Sequence, residues 1–181
     1  INEKPIINTL KKIPLKDIKL EKILTEVRKY ICHRIAKNRE EIDDHRLNFI
    51  IALGAQCFIN EYVYSFTKQE KISINKIINT CINGELNETN IAILSCYLPL
   101  YNLLDQIPSL NSFISSNKSI KEIIILQISE PLKEIELSKN MKKLGKINNY
   151  ISKKVKSQYE ENPYPRWLYS NPFNRKKLSI A

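Results

Sequence analysis

The chain has 181 residues, enough for one domain with a full core, and its 43% hydrophobic content fits a globular protein. Only three glycines occur, Gly54, Gly84 and Gly145. Neither a G-x-G-x-x-G turn nor a phosphate-cradling loop can be assembled from them, which excludes the usual nucleotide folds. The formal charge of +10 is carried mostly by lysine in a chain also rich in isoleucine and asparagine, a bias that AT-rich coding explains without a nucleic-acid partner.

Residues 1–16 carry Pro5 and Pro14 around a short apolar turn, and no long helix is expected there. Asp17 is placed to cap the first long helix, in which Leu20, Ile23, Leu24, Val27, Ile31 and Ile35 keep a 3.6-residue period. The charged stretch Asn38-Arg39-Glu40-Glu41 makes the next turn. Asp43 or Asp44 then caps a second helix running to about Phe66, apolar nearly all round and therefore central. Gly54 inside it predicts that another helix crosses closely at that point. Asn60 and Glu61 are its polar exceptions; buried, they would need hydrogen-bond partners, and a structural network rather than catalysis is expected. Asn48, Gln56, Asn60 and Glu61 interrupt any run long enough to cross a membrane.

A shorter helix follows over 72–82, with Ile74, Ile77, Ile78 and Cys81 inward and Gly84 as its stop. Asn87 starts another, buried through Ile91, Leu94, Ser95 and Leu98 and broken at Pro99, with a serine- and asparagine-rich loop over 105–117 beyond it. Ser119 and Glu122 form a capping box before Ile123, Ile124 and Ile125, and Pro131 marks a kink or fresh first turn. A last helix over 147–159 uses Ile147, Ile151 and Val155 inward. No strand-like alternation and no 34-residue repeat appear. The fold expected is an all-α single bundle of about six helices over residues 1–157, followed by an extended Pro-rich segment over 158–181.

Cys32, Cys57, Cys81 and Cys96 lie far apart in apolar helical patterns, with no C-x-x-C pair. Buried reduced thiols in a cytoplasmic chain are expected, and His33 and His45 lack the recurring spacing of metal ligands. No cofactor is assigned to these residues. Lys139, Lys142, Lys143, Lys146, Lys153, Lys154 and Lys156 fall in a stretch with no acidic residue between Glu136 and Glu160. They define a candidate basic face, either a solvated helix surface or a site for nucleic acid or an acidic protein.

The stretch Gln158-Tyr159-Glu160-Glu161-Asn162-Pro163-Tyr164-Pro165-Arg166-Trp167 is the part that core building does not explain. Its two prolines bar helix continuation and push Asn162 and Tyr164 toward extended backbone. A polyproline-like strut carrying Tyr159, Tyr164, Arg166 and Trp167 either covers the end of its own domain or docks on a partner.

Tyr159-Glu160-Glu161-Asn162-Pro163-Tyr164-Pro165-Arg166-Trp167 closely resembles a segment just upstream of the catalytic domain in a family of bacterial S-adenosylmethionine-dependent methyltransferases, many with tetratricopeptide repeats. Ala55-Gln56-Cys57-Phe58-Ile59-Asn60-Glu61-Tyr62-Val63-Tyr64, Cys96-Tyr97-Leu98-Pro99-Leu100-Tyr101 and Glu130-Pro131-Leu132-Lys133-Glu134 resemble that family's helical pre-domain in the same order. The likeness spans about residues 45 to 170. It implies a non-catalytic helical region, with S-adenosylmethionine held by a catalytic domain beyond Ala181 and a protein substrate as a further partner. Ile1 at the start and Lys177-Leu178-Ser179-Ile180-Ala181 at the end fit a truncated chain. The Asn-Pro-Tyr-Pro order departs from the Asn/Asp-Pro-Pro-aromatic loop of amino-group methyltransferases, so no amine-binding role is transferred to Asn162.

Overall fold

The computed structural model describes residues 4–38, 42–140 and 149–161. Among these residues the protein is an all-α bundle without strands. Its α-helices are α1 (Lys4–Lys12), α2 (Ile18–Ala36), α3 (Asp44–Ile59), α4 (Lys68–Ile82), α5 (Glu88–Leu94), α6 (Lys118–Ile124), α7 (Glu130–Asn140) and α8 (Tyr150–Glu161). Two short 3-10 turns, Leu100–Leu103 and Pro108–Leu110, follow α5, and a π turn, Ile125–Ser129, joins α6 to α7.

The two helices beyond the six expected are α1 and the division of one predicted helix into α6 and α7. Pro5 does not prevent α1, because it stands in the first turn, where its missing N–H would have no intrahelical partner. The Ser119–Glu122 capping box does not form. Asn117 caps α6 instead, its Oδ1 accepting from Ser119 N–H at 2.9 Å, which leaves Ser119 inside the helix. Asp17, Asp43 and Asn87 cap α2, α3 and α5 through their side chains as expected. The start of α4 lies earlier than expected, at a complete capping box: Thr67 Oγ1 accepts from Glu70 N–H, and Glu70 Oε2 accepts from Thr67 N–H at 2.7 Å.

α3 is the centre, buried continuously from Ile50 to Ile59, with α1, α2, α5 and α6 packed around it. A Cβ on Gly54 would lie 2.0 Å from Ser95 Oγ and 3.0 Å from Ser95 Cβ, so the expected close crossing is made by the residue that ends α5. The helix stops at Ile59, not near Phe66. Glu61 and Tyr62 take left-handed backbone at φ 54° and 55°. Tyr62 N–H reaches back to Cys57 O at 2.8 Å, closing the helix in a Schellman arrangement with a glutamate where glycine is usual.

Two fully buried glutamines bind other segments to α3. The Gln56 amide nitrogen donates to Ile13 O (2.8 Å) and Leu10 O (3.0 Å) while its oxygen accepts from Leu15 N–H (3.1 Å), holding the end of α1 and the turn after it. Gln127, within the π turn, donates to Gly54 O (3.0 Å) and Ser95 O (3.1 Å) and accepts from Leu100 N–H (3.3 Å). Its amide thus ties α3, the end of α5 and the first 3-10 turn together. α8 exposes both faces: its lysines point outward as expected, but Ile151 and Val155 are exposed too rather than inward.

Candidate functional site

α2 buries only part of the stripe its hydropathy suggests: Leu24 and Ile35 are buried and Val27 and Ile31 half-buried, but Leu20 and Ile23 are exposed. Its core positions are Leu24, Arg28, Cys32, Ile35 and Ala36, whereas Ile23 and Tyr30 are each 59% exposed. The helix is turned so that Arg28, only 1% exposed, enters the core. That burial is tolerated because both terminal guanidinium nitrogens reach acceptors, while Nε finds none. Its NH2 group donates to Ser65 O at 2.6 Å and Tyr64 O at 3.4 Å, and NH1 to Cys96 O at 3.4 Å. Glu70, equally buried, stands 3.8 Å away, and the Tyr97 ring lies face-on with its centroid 4.4 Å from Arg28 Cζ. Tyr97 donates its hydroxyl to Glu70 Oε1 at 2.9 Å. The same carboxylate closes the Thr67 capping box, so one buried group fixes the start of α4 and the end of the α5 segment.

Cys32, Cys57 and Cys96 surround this network, and all four cysteines of the chain are free and buried. Burial pushes the Cys32, Cys57 and Cys81 thiols up to about 11. Cys96 is raised well above the ordinary thiol value for the same reason. Thiols held protonated and covered from solvent are not nucleophiles at neutral pH. Burial likewise raises the Tyr97 hydroxyl, and the carboxylate of Glu70 adds to the rise. The arrangement is a support that fixes helix crossings, not a reaction centre. Among the described residues no cluster of His, Cys, Asp and Glu could hold a metal ion, and no helix is long and apolar enough to cross a membrane.

A cleft of about 640 Å³ opens between α1, α2 and α3. Ile6, Val27, Tyr30, Ile31 and Phe49 supply its apolar lining, and Asp43, His45 and Arg46 at the start of α3 supply polar groups. Asp43 Oδ2 lies 3.6 Å from Arg46 Nε, so the charges there are partly matched. A cleft of this size and lining suits an apolar anchor with a few polar contacts. Gly54 packs against Ser95 and Gly84 takes φ 95° past the end of α4, while Gly145 lies outside the described residues.

Of the residues singled out in the sequence, Tyr159, Glu160 and Glu161 lie in the last turn of α8, which runs four residues past the expected domain limit at 157. Asn162, Pro163, Tyr164, Pro165, Arg166 and Trp167 lie outside the described residues, as do Lys142, Lys143 and Lys146. Lys153, Lys154 and Lys156 are exposed on α8, and Lys154 Nζ stands 5.0 Å from the Tyr150 ring centroid. Sequence reading missed Arg28, Glu70 and Gln127. Thr67-Lys68-Gln69-Glu70 carries a readable capping signature, but a single arginine inside an amphipathic helix carries no signal of its burial.

No family model matches the chain, and it matches no curated protein and no solved structure.

Proposed function

We propose that this chain is a non-catalytic helical accessory domain that positions a protein substrate or partner for an S-adenosylmethionine-dependent methyltransferase domain carried in cis. The observation that carries the reading is the resemblance of residues 159–167 to the segment preceding such catalytic domains, delivered here by α8. The bundle that precedes it is compatible with a binding role: the Arg28–Glu70 pair and the thiols are buried, and an apolar-lined cleft opens between α1, α2 and α3. Tyr164, Arg166 and Trp167 carry the coupling to the catalytic half, since large aromatics and arginine dominate interface energies. S-adenosylmethionine is bound by that domain, and no residue of this chain is assigned to it.

The test is the coding DNA immediately after the Ala181 codon. The expected result is an open frame entering a hydrophobic strand and then a glycine-rich turn. A stop codon directly after Ala181 overturns the reading in cis.

A second reading is favoured by one observation, the exposure of Lys153, Lys154 and Lys156 on α8. It makes the chain a free-standing helical module that binds nucleic acid or an acidic protein. Titrating the affinity for nonspecific RNA against salt separates the two, because phosphate contacts demand a steep loss of affinity as salt rises. A flat response removes the nucleic-acid reading.

A further inference from the structure

α7 leaves the bundle with its inward stripe still apolar. Ile128, just before it, is packed in the core, and Pro131 in its first turn is buried. Leu132 and Ile135 continue the same side, four and seven residues beyond Ile128, yet they are 40% and 43% exposed. The main neighbour of α7 is the π turn that leads into it, so the stripe runs off the edge of the core. α8 carries a second uncovered stripe one turn long, Ile151 at 69% exposure and Val155 at 45%. Among the described residues no element packs extensively against α8.

The charges beside the two stripes are opposite. Successive residues of an α-helix are turned by about 100°, so the sequence neighbours of a stripe residue flank the stripe on its two sides. Those neighbours are Glu134 and Glu136 for Ile135 in α7, and Lys154 and Lys156 for Val155 in α8; all four are exposed. Lys133 and Lys153 stand two residues before the stripe centres, about 160° round from them, and point away from anything packed there. Lys139, one turn beyond Ile135, ends the apolar stripe of α7. The flanking groups are already engaged in places: Lys154 Nζ lies 5.0 Å from the Tyr150 ring centroid, and Glu134 and Lys156 hold interactions of their own. Exposed contacts of this kind are exchanged at little cost. Because each helix carries one sign on both flanks, α7 against α8 sets acid on base whether the helices run parallel or antiparallel. α7 against α7 would set acid on acid, and α8 against α8 lysine on lysine.

We infer that α7 and α8 are the interface of a homodimer, in which α7 of one copy packs on α8 of a second copy and α8 of the first on α7 of the second. Within one chain the two stripes do not cover each other, since both remain open to solvent. A two-fold axis covers all of them at once. The contact is then self-complementary and closes at two chains instead of growing into a filament. Leu132, Ile135, Ile151 and Val155 supply the attraction, and the flanking charges decide which helix meets which. This role goes beyond the methyltransferase reading and does not depend on it.

The test is sedimentation velocity of the full 181-residue chain over roughly 1–200 μM, a range suited to an interface at the small end of specific contacts. The wild type should convert from one chain to two as concentration rises. Two charge-reversed variants follow. Glu134→Lys with Glu136→Lys makes every flank basic, and Lys154→Glu with Lys156→Glu makes every flank acidic. Each variant alone should dimerise at least about tenfold more weakly, with its Tm close to that of the wild-type monomer because all four side chains lie on the surface. Mixed in equal amounts, the two variants should form a heterodimer, since each supplies the sign that the other's helices lack. A chain that folds α8 back onto its own α7 gives no such rescue. A wild type that stays one chain throughout the range overturns the inference. A dimer indifferent to both double reversals, or one lost in both and not recovered on mixing, overturns it as well.

Discussion

Gly54→Ala tests the packing at the centre of the bundle most directly, because two effects of opposite sign meet there. Alanine is favoured over glycine in a helix interior by about 1 kcal/mol. Against that, the new methyl would lie 2.0 Å from Ser95 Oγ, 3.0 Å from Ser95 Cβ and 3.3 Å from its carbonyl carbon. Rotating the serine hydroxyl relieves only the first contact, and it breaks the Ser95 bond to Ala92 O at 2.7 Å. The remaining two require α3 and the end of α5 to separate. Gln127 spans that crossing, with its amide nitrogen on both Gly54 O and Ser95 O, so separation stretches its bonds too. Overpacking of about 1–3 kcal/mol plus part of a buried hydrogen bond, about 1 kcal/mol, less the helix gain, leaves a net loss of about 1–3 kcal/mol. In a chain of this length that lowers Tm by roughly 2–4 °C per kcal/mol. Thermal unfolding followed by circular dichroism at 222 nm is the assay. Ser95→Gly in the Gly54→Ala background should recover part of the loss. A Gly54→Ala variant as stable as the wild type, or more so, would show that helix propensity wins and that the crossing is looser than the distances state.

Two further outcomes follow from the buried polar network. Replacing Arg28 by methionine leaves the Glu70 carboxylate buried beside Tyr97 without its cation and should cost about 3–5 kcal/mol. Combining it with Glu70→Gln should cost less than the sum of the two single changes in urea unfolding, and strict additivity would deny the coupling. The cysteines set an alkaline limit. Each thiol at about 11 is raised above its unfolded value of 9.0. Stability from the protonated form is therefore complete below about pH 9 and is lost as pH rises toward 11. A pH series of urea midpoints should fall across that window, and Ellman's reagent should find no rapidly reacting thiol at pH 8 until denaturant is added. A fast native-state reaction at any of the four positions would contradict their burial.

Much of this architecture is written in local chemistry. Asp17, Asp43 and Asn87 announce helix starts because a short polar side chain satisfies N–H groups that nothing else can reach. Gly54 announces a crossing because a glycine inside a helix is otherwise a loss. The features that escaped are those where tertiary partners decide. Arg28 reads as a surface residue until the carbonyls of Ser65, Tyr64 and Cys96, brought from 36–68 residues away, enclose it. Asn117 outcompetes Ser119 for the same orphan N–H groups, a choice of two residues that spacing alone leaves open. The outward face of α8 has the same origin: Ile151 and Val155 keep a helical stripe, but periodicity states only that a stripe exists and not that anything covers it. For the candidate site, the motif at 158–167 is conspicuous in sequence, whereas the cleft is assembled from α1, α2 and α3 and belongs to no single stretch.

The Gln56 amide bears on how the domain can be cut. Its three partners, Leu10, Ile13 and Leu15, lie in what looks like a dispensable proline-containing leader. A fragment beginning at the Asp17 cap would keep every long helix, yet it would strand a fully buried amide in the middle of α3 and strip the cover from Ile51 and Ala55 beside it. Such a fragment should express poorly or aggregate despite its intact helices. Any fragment meant to keep this core therefore has to include α1, and a fusion partner or tag is better placed ahead of Lys4 than in the turn at Pro14.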